Sequence, residues 1–332
     1  MADYKGVMVY CEIAGGKLLP ICAEGLGIGR KLADDSGQEL SAVLIGSGIA
    51  GYAQEPVSFG ADKVYVVDDP LLKDYLTDSY VGVMEKVVKQ AMPQILIMEQ
   101  TDSGRDLAPR LSFRLDTTVT MDCIELAIDA GSGRLLQTKP VYGGNANGVF
   151  TTDLDPQMVT IRTKAMTALE PDTSRQGEVI TIDAGIDPST IRATVVDRVA
   201  EEVSGIKVED AEIVVSGGRG IGGSEGFGQL EELAKLLKGA VGASRPPCDN
   251  GWVPDGAQIG LTGKIIAPEI YIAIAISGSS QHMSGCSGSK NIIAINKDSE
   301  ANIFRQARFG VVGDWKKVLP AFTAKLKELT AS

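Results

Sequence analysis

Ala267-Pro268-Glu269-Ile270-Tyr271-Ile272-Ala273-Ile274-Ala275-Ile276-Ser277-Gly278-Ser279-Ser280-Gln281-His282-Met283-Ser284-Gly285-Cys286-Ser287 passes from an uncharged run rich in β-branched residues, 270–276, into a Ser/Gly loop that ends on the single histidine of the chain. The aliphatic run over 270–276 predicts a strand buried on both faces, and the loop residues break it. Open α/β sheets bind ligands beyond the carboxyl ends of their strands, where loop N–H groups meet anionic oxygens. A binding site there and a plain strand-to-helix connection with an exposed histidine both fit this segment taken by itself.

Working outward, the 332 residues predict two domains, because single cores stop growing near roughly 250–300 residues. Hydrophobic residues at 44% and charged residues at 23% place the chain among ordinary globular proteins. Glycine is abundant and aromatics are few, which suits parallel sheets with backbone-lined loops. A net charge of −11 argues against nucleic acid as a partner, since phosphate backbones recruit clustered Lys and Arg. The N-terminus lacks signal-peptide regions, and no apolar run approaches the roughly 20 residues of a membrane span, so a cytoplasmic protein is expected. Cys11, Cys22, Cys123, Cys248 and Cys286 are widely separated with no C-x-x-C pair, a pattern for reduced thiols and not for zinc or iron–sulfur ligation; no metal site is expected.

In the first half, strands at 7–11, 41–46, 63–67 and 95–98 alternate with helices at 26–36, 80–90 and 103–115, the last with Ser103 as its N-cap. This order predicts a parallel α/β sheet. Shorter segments at 119–128, 135–138, 149–152 and 158–162 read as added hairpins, and 171–188 as a surface crossing. A boundary within 205–210 gives domains 1–206 and 207–332. The second domain repeats the α/β pattern, with strands at 211–216, 270–276, 291–295 and 310–312 and helices at 229–238 and 315–329. Two cores joined at a polar boundary predict a second domain that is mobile on the first.

Candidate chemistry gathers in the second domain. Gly218-Arg219-Gly220-Ile221-Gly222-Gly223 has the spacing of a dinucleotide loop, yet no acidic residue closes a second strand about 20 residues on. It reads as a guanidinium held near anionic oxygens or as a flexible loop. Ser244-Arg245 precedes Pro246-Pro247, a pair expected to hold the chain extended. Gln258-Ile259-Gly260-Leu261-Thr262-Gly263-Lys264 is a Gly-bracketed hydroxyl, and Asn296-Lys297-Asp298 and Gly313-Asp314 end strands at the same edge. Convergence of five such loops predicts a site for a large polar cofactor. No catalytic triad order, paired carboxylates or metal spacing supports a hydrolase, so no catalytic residue is assigned. The lone histidine is expected to carry positive charge near a reduced ring.

These motifs, with Pro268-Glu269-Ile270-Tyr271, Gly310-Val311-Val312-Gly313-Asp314 and Gly104-Arg105-Asp106-Leu107-Ala108-Pro109-Arg110, resemble the electron transfer flavoprotein alpha subunit over essentially the whole chain. The resemblance implies FAD in the C-terminal α/β domain and a heterodimer with a beta subunit. By position it implies Arg245 over the flavin face, Thr262 near N5, and His282 beside the pyrimidine carbonyl with Ser244 supporting that edge. Arg219, Asn296, Asp314 and the backbone of Ser277, Gly278, Ser279, Ser280 and Gln281 are implied holders of the ribityl, pyrophosphate and adenosine parts. Gln258, Ile259, Gly260, Leu261, Lys297 and Trp315 complete the implied contacts; Leu261 departs from the polar residue of some members.

The first half, at 60–70 and 120–123, resembles NADH-using, electron-bifurcating members. That implies a second flavin and the NADH site on the beta subunit, a separate ferredoxin and an acyl-CoA dehydrogenase as electron partners. A non-bifurcating carrier, a stand-alone flavin or nicotinamide oxidoreductase, and a nucleotide-binding sensor are the alternatives.

Overall fold

The computed structural model describes residues 4–144, 146–197 and 206–330. The N-terminal residues 1–3, Asn145 of an expected turn and Gly205 of the expected boundary lie outside the described residues. The chain divides into two compact units, one from Met1–Pro140 and Asn147–Val199, the other from Val141–Ala146 and Ala200–Ser332.

The first unit is built on a seven-stranded parallel sheet in the order Glu178–Thr181, Lys63–Asp68, Leu40–Gly46, Val7–Cys11, Ile95–Glu99, Gln157–Ile161, Val119–Cys123. Central strands are apolar throughout because both faces are covered: Val9, Leu44 and Ile97 face one core, Met8, Val43 and Leu96 the other. The helix Pro20–Ser36 begins well before the expected 26, since proline at its start loses no hydrogen bond there. Its Gly29 lies so close to the sheet that a Cβ would stand 2.8 Å from Leu40 Cδ1. Helix Asp102–Arg114 is capped by Thr101, whose Oγ1 accepts from Gly104 N at 2.9 Å, and not by Ser103.

The hairpin expectation holds for Glu125–Ile128, which pairs antiparallel with Leu135–Val141, and Ala146–Phe150 joins Leu135–Val141 as the third strand of that small sheet. Gln157–Ile161 and Val119–Cys123 are instead parallel strands of the main sheet. The expected 119–128 element is two strands parted at Ile124, and Asp122, at φ +67°, lies at an irregularity in the pairing of the first with Gln157–Ile161. The expected surface crossing contains the edge strand Glu178–Thr181.

The second unit is a five-stranded parallel sheet in the order Ala240–Ala243, Ile213–Gly217, Ile270–Ile274, Asn291–Asn296, Phe309–Val312. Phe227, Leu230 and Leu233 from helix Ser224–Leu236 and Trp315 and Leu319 from helix Trp315–Thr330 fill one core, while Met283 and Cys286 of helix Ser280–Cys286 fill the other. Both sheets are parallel, as the alternating pattern required. Ala240–Ala243 went unpredicted: four small residues at a sheet edge carry little β signal.

Candidate functional site: a crevice at the strand ends

Because all five strands of the second sheet are parallel, their carboxyl ends share one edge. The strand order reverses between Ile213–Gly217 and Ile270–Ile274, so the two following loops diverge and leave a crevice between them. Glycine permits their close approach. A Cβ on Gly218 would lie 2.1 Å from Ala275 O, and one on Gly220 would lie 3.0 Å from Ala275 Cβ. Ala275 itself sits at φ +53°, a conformation that alanine adopts at a cost and that concentrates at functional sites.

The neighbouring edge strand delivers Ser244 and Arg245. Ser244 is buried with its N–H on Gly217 O at 3.1 Å, and Arg245 is exposed, its Nε 3.2 Å from Asp249 Oδ2. The proline pair does not extend the chain: Pro246 and Pro247 open the helical turn Arg245–Asp249, for which their fixed φ is suited. Residues 258–262 lie between this strand end and helix Ser280–Cys286, with Ile259 N on Ala243 O and Leu261 N on Gln281 O, each at 2.8 Å. Gln258 Nε2 donates to Thr262 Oγ1 at 3.0 Å, and Leu261 and Thr262 face outward. Gly260, at φ +147°, touches the backbone of Gln281.

His282 is buried, not exposed, and both ring nitrogens are engaged. Nδ1 stands 3.0 Å from Ile259 O and Nε2 2.7 Å from the Tyr271 hydroxyl. A carbonyl only accepts, so the network assigns the ring proton to Nδ1, and Tyr271 donates to Nε2. Burial drives its pKa down to about 4, opposed by the Ile259 hydrogen bond. The imidazole is therefore neutral at pH 7, which corrects the expectation of a cation at this position.

Ser279 caps helix Ser280–Cys286, accepting from His282 N at 3.4 Å. Asn296 and Lys297 lie one strand further along the edge, and Asp314 and Trp315 two. Asn296 Nδ2 holds the 275–279 loop through Ile276 O at 2.8 Å, and Trp315 Nε1 holds the 218–223 loop through Gly220 O at 3.1 Å. Asp314 Oδ1 accepts from Lys316 N, so its near oxygen serves the terminal helix. Arg219, Ser244, Arg245, 258–262 and 277–282 thus stand on loops at the same strand-end edge, and Asn296 and Trp315 each tie down one of the two glycine loops. Tyr271 was missed, although a tyrosine in an otherwise aliphatic buried strand signals a hydroxyl needing a partner.

The residues present fit an anionic dinucleotide. No Asp or Glu occurs in 217–223, 258–264 or 275–282, Arg219 and Arg245 are exposed, and the loops at this strand-end edge offer backbone N–H groups and guanidinium groups to anionic oxygens. Fold and crevice together define a two-unit α/β protein with a doubly wound cofactor-binding domain.

Comparison with known proteins narrows the class. Residues 7–187 match the electron transfer flavoprotein domain and 207–287 the electron transfer flavoprotein FAD-binding domain. The electron transfer flavoprotein subunit alpha of Thermoanaerobacterium thermosaccharolyticum is 44% identical across 99% of this chain and 100% of its own length. The protein of the same description from Megasphaera elsdenii is 42% identical across 99% and 98%. The acryloyl-CoA reductase electron transfer subunit beta of Anaerotignum propionicum is 35% identical across 98% and 96%. The chain belongs to the electron transfer flavoprotein alpha subunit family, binds FAD and serves in electron transfer. Among the described residues, no helix is long and apolar enough to cross a membrane.

Proposed function

We propose that the chain is the alpha half of a cytoplasmic heterodimer with a beta subunit, exchanging electrons singly with an acyl-CoA dehydrogenase. It does so within an NADH-dependent bifurcating system in which a separate ferredoxin takes the other electron. The observation that carries the reading is the shared strand-end edge, where the loops 217–223, 258–264 and 275–282 contain no Asp or Glu and stand with Ser244 and Arg245. FAD held there supplies reversible one-electron chemistry.

The chain's own groups position and bias it. Arg245 and Thr262 face the ring, as a guanidinium and a hydroxyl that favour added negative charge. Neutral His282 presents no charge of its own; Tyr271 and Ile259 fix its tautomer, and through it the 258–262 segment. Arg219, Lys297 and the backbone of 277–281 hold the pyrophosphate and adenosine parts, with Asn296 and Trp315 keeping the loops in place. The acryloyl-CoA reductase subunit of Anaerotignum propionicum supports an acyl-CoA enzyme as the electron partner. The purified pair should contain two flavins; one flavin per pair would leave a simple carrier and remove bifurcation.

A further inference from the structure

A second cluster of chemistry-bearing groups lies in the first unit, unconnected with the flavin reading. Cys11 closes the strand Val7–Cys11, Glu99 closes its hydrogen-bonded neighbour Ile95–Glu99, and Cys22 stands in the first turn of helix Pro20–Ser36. The order of the seven-stranded sheet reverses between these two strands, so the trio occupies the first unit's own switch point. Both sulfur atoms and a Glu99 carboxylate oxygen lie within 4.8 Å of one another. The three residues are 1%, 0% and 1% exposed in chain order, which closes them off from bulk solvent.

Neither oxygen of Glu99 makes a hydrogen bond. Each sulfur also reaches a backbone carbonyl, Cys22 Sγ standing 3.5 Å from Glu12 O and Cys11 Sγ 3.8 Å from Val9 O, and Cys22 interacts with both Cys11 and Glu99. Glu12, the other nearby carboxylate, accepts from the Thr101 hydroxyl. A buried acid whose oxygens make no hydrogen bond costs about 1–3 kcal/mol and calls for a compensating interaction, of which a bound ion is one.

We propose that Cys11, Cys22 and Glu99 form a binding site for one thiophilic divalent cation, with Zn²⁺ as the best-matched ion. Two thiolates and a carboxylate are a borderline-soft donor set, suited to zinc and unsuited to magnesium or calcium. Zinc–sulfur bonds of about 2.3 Å in a tetrahedron place two sulfurs roughly 3.8 Å apart, within the 4.8 Å that already bounds the separations of these atoms. Binding exchanges protons for metal: two thiol protons and one carboxyl proton leave to solvent, no electron moves, and water completes the fourth position. The ion ties the start of helix Pro20–Ser36 to the two central strands. The ligands come from three separate elements, so their spacing along the chain resembles no metal motif.

The test titrates Co²⁺ into the purified, reduced, flavin-loaded protein and follows the long-wavelength bands of tetrahedral thiolate ligation, which lie beyond flavin absorption. The site predicts one Co²⁺ per chain, displacement by Zn²⁺, and binding weakened in Cys22→Ser and in Glu99→Gln by more than the roughly 10–100-fold that loss of an outer-shell partner costs, with Cys123→Ser unchanged. Absence of the bands at a large excess of Co²⁺, or equal affinity in all these proteins, overturns it. Should Cys22→Ser fail to fold, Glu99→Gln and the native stoichiometry still decide.

Discussion

At the residue scale, charge at Arg245 and neutrality at His282 are the two statements with measurable consequences. An exposed unit charge about 4 Å away contributes about 1 kcal/mol in water, so Arg245→Ala should lower the first-electron potential by roughly 50 mV. Spectroelectrochemistry reads it, and an unchanged potential removes Arg245 from the flavin face. For His282, the folded pKa of about 4 lies below the ordinary 6.5. The unfolded chain takes up the proton first as pH falls, so this stability is present above about 6.5 and lost on the way down to about 4. In the flavin-free chain the advantage of wild type over His282→Asn should shrink across that window by up to about 3 kcal/mol, measured by denaturant melts. The place of His282 in the fold was legible, because it ends the loop that follows a buried strand. Its neutrality was not, because Tyr271 and Ile259 reach it only through the fold.

At the scale of elements, local patterns gave the strands their positions and long-range pairing gave them their roles. Val7–Cys11, Ile95–Glu99 and Ile270–Ile274 announce themselves as uninterrupted apolar runs. Gln157–Ile161 and Val119–Cys123 looked like hairpin strands because their parallel partners are distant in sequence, and nothing local distinguishes the two pairings. Ala240–Ala243 was hidden by its composition, yet it carries Ser244 and Arg245 to the crevice. The glycine loops were readable as loops, while the reason for glycine emerged only in three dimensions. Gly218→Ala should place a methyl against Ala275 O, destabilising the second unit by about 1–3 kcal/mol and lowering flavin content. Gly228→Ala, where a Cβ meets nothing within 4 Å, is the matched control; equal losses in both would contradict the close-approach account.

At the scale of the whole molecule, each unit has its own pair of cores flanking its own parallel sheet. Two α/β domains and an acidic, globular composition were readable from alternation and length; inclusion of Val141–Ala146 in the second unit had no sequence signal. A ligand stabilises the unit that holds it, by about 2.7 kcal/mol at 100 times its Kd. In calorimetry, added FAD should therefore raise the transition belonging to 206–330 and leave that of the first unit in place. A shift confined to the first unit would put the cofactor in the wrong domain.

The most direct measurement is a crystal structure of the purified protein with FAD bound. The account predicts the isoalloxazine beside Arg245 and Thr262, with the pyrophosphate against the 277–281 backbone. Flavin density elsewhere in the molecule, or a different ligand in this crevice, would contradict it.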